Sequence, residues 1–248
     1  MPNQNTDIAV VGGGIWGLSA AYHLARAGHK QICVLERNGT IAAETTPRAA
    51  GLVGQIRSNP TMLRAVQYAL DLLAQFARQT GHEPGLHQTG SLMVALTAER
   101  MAYCEQQLER ARQNGLEADF VSAAEMIRLA PALDTTHIAG AYFVPGDGYV
   151  DPLQCAQAYA GAARDLGVKI ALDTRVTAIR IDQGRVVGVE TENGLVAAEK
   201  VLVAAGPWGA TLAAQAGFAP AVQPIRHQRV RTVPVPGIPD HHPVVRVP

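Results

Sequence analysis

Cysteine is scarce. Cys33, Cys104 and Cys155 are isolated and odd in number, so neither a disulfide framework nor a CxxC metal or redox pair can be drawn. Cys33 falls inside an apolar run and Cys104 on an apolar helical face, where a thiol serves as a small core hydrophobe. Charge of one sign is missing too, since 21 Lys and Arg balance 21 Asp and Glu. Without a basic excess or a Lys/Arg run, nucleic acid and anionic membrane surfaces are not expected partners. No apolar run approaches the ~18 residues of a membrane span. The polar start, Met1 to Asp7, has no secretory h-region, and a cytoplasmic location is the expectation. His241-His242 has no companion ligands, and no metal site is expected. Repeats and low-complexity segments are absent as well. What is present, 248 residues of which 48% are hydrophobic, can bury a large core in one or two domains.

The most informative stretch runs from Asp7 to Glu36. Asp7-Ile-Ala-Val-Val11 reads as a buried strand that enters Gly12-Gly-Gly-Ile-Trp-Gly17. A helical stretch from Leu18 to Gly28 follows, then a second apolar run, Gln31 to Leu35, that ends on Glu36. Gly12, Gly14 and Gly17 occupy the glycine positions of GxGxxG. The first allows a tight turn, the second lets backbone approach a pyrophosphate, and the third lets helix pack on sheet. The helix N-terminus turns free N–H groups toward phosphate, and Glu36 is placed to accept from ribose hydroxyls. GxGxxG alone is weak, and a glycine-rich turn in an ordinary α/β domain is the plain alternative. Here strand, glycines, helix, second strand and acid occur in register.

Further along, Asn38 to Asn59 is long and rich in Ala, Thr and Gly, which suits backbone lying along an extended ligand. It does not form the next βα unit of a nicotinamide-binding fold. Asn59-Pro60 caps a long amphipathic helix to Gly81. A strand is expected at 88–96, a helix from Thr97 to Asn114-Gly115, and a capping-box helix from Ser122 to Leu129. Another strand covers 138–144, and Asp151-Pro152 starts a helix to Gly167. Strands at 168–172, 175–181, 185–191 and 200–204 follow, with turns at Asp182-Gln-Gly184 and Glu192-Asn-Gly194. From Gly217 the chain is rich in Pro and Val, and 218–232 is expected as a strand.

These residues resemble the FAD-dependent amine and amino-acid oxidoreductases of the D-amino-acid-oxidase-like superfamily, within it the dimethylglycine and sarcosine dehydrogenase branch. The likeness rests on Val11 to Leu24, Ala49-Ala-Gly-Leu-Val-Gly-Gln-Ile-Arg57, Gln88-Thr-Gly-Ser-Leu92, Pro145-Gly-Asp-Gly-Tyr-Val-Asp-Pro152, Ala204-Ala-Gly-Pro-Trp208 and Val222-Gln-Pro-Ile-Arg-His-Gln228. It implies an α/β fold: a Rossmann-type FAD-binding domain (5–85 plus 147–216) interleaved with an antiparallel or mixed-sheet substrate domain (86–146 plus 217–248). The parallel Rossmann strands would lie near 7–11, 31–36 and 200–204, and the substrate sheet would contain 88–96, 138–144 and 218–232.

The resemblance further implies that Gly12, Gly14 and Gly17 meet the pyrophosphate and Glu36 the adenosine ribose of FAD, with Ile15, Trp16 and Arg37 also among the cofactor-binding residues. Thr45, Thr46, Ala50, Gly51 and Leu52 would run along the pyrophosphate and flavin, with Arg48 a further cofactor-binding residue. Val176 would present backbone to the adenine, and Ala205, Gly206 and Trp208 would form a turn close to the cofactor. Relatives that attach flavin covalently have histidine where this chain has Arg48, so noncovalent FAD is expected. Relatives also continue with further substrate-domain strands, so the chain reads as lacking a C-terminal part, with little turnover expected from it alone.

The implied reaction is oxidation of a secondary or tertiary amine, such as sarcosine or dimethylglycine. Electrons would pass to oxygen or an electron-transfer protein. Arg48 and His227 are the catalytic candidates: a cation beside the flavin or the substrate carboxylate, and an imidazole near the substrate. Arg57 is a further candidate for the carboxylate, and His227 reads equally as a strand histidine. A non-catalytic FAD-binding or regulatory module, or an inactive fragment, is the rival reading.

Overall fold

A computed structural model describes residues 5–247; Met1 to Gln4 of the polar N-terminus, and Pro248, lie outside the described residues. The chain divides into two compact units, one of residues 1–49, 77–84 and 151–229, the other of 50–76, 85–150 and 230–248.

The first unit is built on a six-stranded sheet. Its order is Val176–Asp182, Arg185–Thr191, Gly194–Val203, Thr6–Val11, Ile32–Leu35 and Lys169–Ala171. Thr6–Val11 lies at its centre, parallel to both neighbours, with Val10 opposite Leu202 on one side and Val34 on the other. Such a strand is buried on both faces, hence the unbroken apolar run. The strand expected at 200–204 is longer than the pattern suggests. Gly194–Val203 pairs antiparallel with Arg185–Thr191 at its start and parallel with Thr6–Val11 at its end. Helices Ile15–Arg26 and Pro152–Asp165 pack on each other, with Tyr22 and Tyr159 edge to face at 5.7 Å. Asp151 caps the second helix by accepting from the Leu153 and Gln154 N–H groups at 2.9 and 3.0 Å, and Pro152 takes the first turn, where no N–H is needed.

In the second unit a four-stranded mixed sheet runs Val244–Arg246, Ser91–Ala95, Gly140–Val144, Asp119–Val121. Helix Ala98–Gln113, capped by Thr97, covers one face through Cys104, Leu108 and Ala111. The capping-box helix Ala123–Leu129 brings Met126 against Leu92 and Val94. A three-stranded sheet joins Leu52–Val53, Gly148–Val150 and Leu86–His87. Pairing of Leu52 with Tyr149 keeps both strands in this unit, so the division differs from the expected one at residues 50–76, 85 and 147–150, which fall in the second unit, and at 217–229, which fall in the first.

One expected strand is corrected. Residues 218–232 carry no regular structure, and Val244–Arg246 takes the sheet edge beside Ser91–Ala95. Pro220 and Pro224 remove ladder donors within 218–232. Phe218, Ile225 and Val230 are at least 66% exposed, so no burial compensates. All three cysteines are free and buried, and burial pushes the Cys155 thiol up to about 11. Among the described residues no helix is long and apolar enough to cross a membrane.

Candidate functional site

A cavity of about 810 Å³ opens in the first unit, walled by the glycine turn, loop 35–49, residues 174–177 and the stretch from Leu202 to Gln215. Its floor follows from the glycines. Gly12 has φ +111°, and a Cβ there would lie 2.5 Å from the Ala204 carbonyl oxygen. At Gly17 a Cβ would fall 1.9 Å from the Gly12 oxygen, a distance no side chain tolerates. Gly14 precedes the helix in extended conformation with no side-chain cap. The first N–H groups of Ile15–Arg26 have no intrahelical acceptor, and that of Ile15 donates to Thr46 Oγ1 at 3.1 Å.

Glu36 is buried yet lines the cavity. Its carboxylate accepts from the Gly13 N–H (2.7 Å), the Asn38 N–H (2.9 Å) and the Asn38 amide (2.7 Å). Gly13, which GxGxxG leaves unspecified, is therefore also constrained: a Cβ there would meet the Glu36 side chain at 3.0 Å. Loop 38–49 is tied back where the Ala42 N–H donates to Gly13 O at 2.9 Å, holding Ala42 at φ +53°, a region alanine seldom adopts.

On the rim, the Arg37 guanidinium lies over the Trp208 ring, 4.0 Å from its centroid, and pairs with Glu44 at 2.7 Å. This pairing holds the Glu44 carboxyl below the usual carboxylate range. Trp16, 82% exposed, also borders the cavity.

The structure brings together in this wall Gly12, Gly14, Ile15, Trp16, Glu36, Arg37, Thr45, Thr46, Val176, Ala205, Gly206 and Trp208. Gly17 lies beneath it, packing helix on turn. Arg48 does not line it: its exposed side chain turns back to Glu44, 3.4 Å from Oε2 and also against the Glu44 carbonyl. Ala50, Gly51 and Leu52 belong to the second unit, where Gly51 O accepts from the Val150 N–H at 2.9 Å. Arg57, in that unit too, donates to Ile56 O at 2.8 Å. His227 is exposed on the irregular segment, whose Arg229 donates to Pro47 O and Ala49 O at 3.1 and 2.8 Å. Glu44, Ala42, Thr174 and Gln215 line the cavity without having been singled out. Only Glu44 had a signal, as the one acid in an Ala- and Thr-rich loop.

A family model for FAD dependent oxidoreductases (DAO) matches residues 7–248. The chain belongs to this family. Its sequence is 34% identical over 237 residues to 4-methylaminobutanoate oxidase (formaldehyde-forming) of Paenarthrobacter nicotinovorans, covering 96% of this chain and 29% of that protein. Mitochondrial dimethylglycine dehydrogenase of Rattus norvegicus is 30% identical over 235 residues, 95% of this chain and 27% of that one. The mitochondrial pyruvate dehydrogenase phosphatase regulatory subunit of Mus musculus is 33% identical over 208 residues, 84% and 24%. The chain thus spans less than a third of the length of these relatives. Among solved structures, L-proline dehydrogenase from P. horikoshii superposes with a TM-score of 0.81 at 26% identity, over 87% of this chain and 56% of that one.

FAD is the cofactor of the family, and the cavity suits it on its own terms. A Cβ at Gly12 would fill the turn, the helix presents N–H groups to a diphosphate, and Glu36 offers a buried anion to ribose hydroxyls.

Proposed function

We propose that this chain carries the FAD-binding part and a portion of the substrate domain of an amine oxidoreductase whose substrate is a secondary or tertiary amine bearing an N-methyl group, an N-methylated amino acid such as sarcosine or dimethylglycine. The observation that carries the reading is the cavity itself: a glycine turn, a helix N-terminus and the buried Glu36 meeting in one wall. The amine class draws support from relatives described as a formaldehyde-forming 4-methylaminobutanoate oxidase and a dimethylglycine dehydrogenase. Bound FAD supplies the two-electron acceptor for oxidation of the C–H bond next to nitrogen.

The chain's residues divide the remaining work. Gly12, Gly14 and the first N–H groups of the helix hold the diphosphate, Glu36 the ribose, and Val176 with Ala205 and Gly206 flank the adenosine half. Binding is noncovalent, because Arg48 occupies the place before Ala49-Ala-Gly-Leu52 and a guanidinium cannot make a histidyl bond to flavin. Arg48 and His227 remain proposals for the amine side, as cation for a substrate carboxylate and as proton carrier.

A second reading is favoured by the likeness to a phosphatase regulatory subunit: an FAD-binding module without amine turnover. One experiment separates the two. The purified chain is saturated with FAD, precipitated with acid, and separately mixed anaerobically with sarcosine, dimethylglycine and 4-methylaminobutanoate. Release of flavin into the supernatant and bleaching of its visible band by an amine support the proposal. FAD retained through acid contradicts the noncovalent reading. Because the chain spans less than a third of these relatives' length, bleaching is followed as a slow reaction over hours, and only its complete absence with every amine favours the regulatory reading.

A further inference from the structure

The loop and the turn on either side of the cavity rim are joined by a chain of side chains that the glycine motif does not explain. Glu44 Oε1 holds Arg37 Nη2 at 2.7 Å, and the Arg37 guanidinium lies 4.0 Å from the Trp208 ring centroid. Glu44, Arg37 and Trp208 all line the cavity. The second oxygen of Glu44 faces Arg48 Nη1 at 3.4 Å, so one carboxylate is shared by two cations.

We propose that Glu44 is a positioning residue for cofactor retention. It fixes the Arg37 guanidinium on the Trp208 indole and so keeps loop 37–48 joined to turn 206–208 while FAD is bound. The inference rests on FAD being the occupant of this cavity.

Three physical arguments support it. An arginine side chain has much rotamer freedom to lose, and a free Arg37 would sample the cavity mouth as well as the indole. A charge-assisted hydrogen bond at one edge and an aromatic face beneath remove that freedom together. Arg37 in turn holds the Glu44 carboxyl below its ordinary range, chiefly through the hydrogen bond between them, so the pair favours the ionised acid. The loop bearing Glu44 is already anchored at its other contacts, Ala42 N–H to Gly13 O at 2.9 Å and Ile15 N–H to Thr46 Oγ1 at 3.1 Å. Glu44 is therefore presented from a fixed base, and what it holds is the far side of the rim.

The test uses the 248-residue chain and two readouts. FAD is titrated into the unaltered chain, Glu44→Gln, Glu44→Asp, Arg37→Met and the double variant Glu44→Gln/Arg37→Met, with circular dichroism confirming that each is folded. The pair is part-exposed, at 33% and 35%, so Glu44→Gln should raise the FAD dissociation constant by only about three- to tenfold. Arg37→Met should cost at least as much, the double variant no more than Arg37→Met alone, and Glu44→Asp should recover part of the loss. Tryptophan emission supplies the second readout. The chain has two tryptophans, so in a Trp16→Phe background emission reports Trp208 alone. Before FAD is added, Glu44→Gln should shift it in the same direction as Arg37→Met, which a merely structural Glu44 would not do. Unchanged affinity in Glu44→Gln, additive losses in the double variant, or an unmoved Trp208 emission each overturns the proposal while the FAD reading stands. Failure of the unaltered chain to bind FAD overturns both.

Discussion

Glu36 and Asp147 are buried carboxylates, one in each unit, and each accepts three hydrogen bonds. The donors to Glu36 are the Asn38 N–H and amide, two residues on, and the Gly13 N–H, 23 residues back in the glycine turn. Those to Asp147 are the Gln55 N–H and amide at 2.9 and 3.2 Å and the Ser91 hydroxyl at 2.5 Å, from segments 92 and 56 residues away. Glu36 lines the cavity, whereas Asp147 is 1% exposed. The same inventory of bonds therefore serves two ends. Donors from one dinucleotide-type motif, the glycine turn and the loop after the second strand, leave an acid at the edge of a ligand site and hold it ready. Distant donors turn an acid into a clamp that ties strands and loops of different sequence position into one unit. In the sequence both acids look alike, each beside a motif that belongs to the family.

Asp147→Ala should give the largest effect, and on stability. Removing the acid leaves three donors buried without an acceptor, at about 1–3 kcal/mol for each group left unsatisfied. Partial relaxation keeps the sum below full additivity, so a loss of roughly 3–4 kcal/mol is expected. Urea denaturation measures it. A loss under about 1 kcal/mol would mean that water reaches the site and that Asp147 is no clamp.

Glu36→Ala should invert that pattern. Cavity water can satisfy the Gly13 and Asn38 donors, so folding loses less than in Asp147→Ala. FAD affinity, by contrast, loses a charge-assisted hydrogen bond of roughly 1.5–3 kcal/mol, about ten- to a hundredfold in dissociation constant. Titration by flavin fluorescence reads this directly. Equal stability losses in the two variants, with FAD affinity unmoved, would erase the distinction drawn between them.

What was legible in the sequence follows the same line between local and distant. Thr97, Ser122 with Glu125, and Asp151 with Pro152 announce their helices because a cap acts within three residues of itself. Gly12 and Gly17 are legible because the close approaches that demand glycine belong to the motif. Asp147 read only as one residue of the motif Pro145 to Pro152, since nothing nearby in sequence reveals that Gln55 and Ser91 converge on it. Arg48 read as a site cation, and its return to Glu44 depends on how the loop folds over Thr46–Arg48. Residues 218–232 have the valines of a strand, but β propensity expresses packing against neighbours, and their side chains are exposed. The sheet edge went to Val244–Arg246, which has a partner in Ser91–Met93.

The smallest expected effect sharpens the local side of the comparison at the helix N-terminus. Thr46 Oγ1 accepts from the Ile15 N–H at 3.1 Å, so in the free protein a threonine hydroxyl occupies a donor at the end of the helix that the glycine turn leads into. Thr46→Val keeps the shape and removes the acceptor, which should cost about 1 kcal/mol, as for loss of a helix cap. With FAD present the outcome depends on what the hydroxyl does there. If the diphosphate meets this helix end, it replaces the lost acceptor. The stability difference between Thr46→Val and the unaltered chain should then shrink on saturation with FAD, and by linkage the variant should bind FAD no more weakly. If the hydroxyl instead donates to the ligand, the difference grows and affinity falls. Thermal denaturation of both proteins with and without saturating FAD distinguishes the two by sign. A difference that widens with FAD would make Thr46 a ligand of the cofactor rather than a stand-in for it.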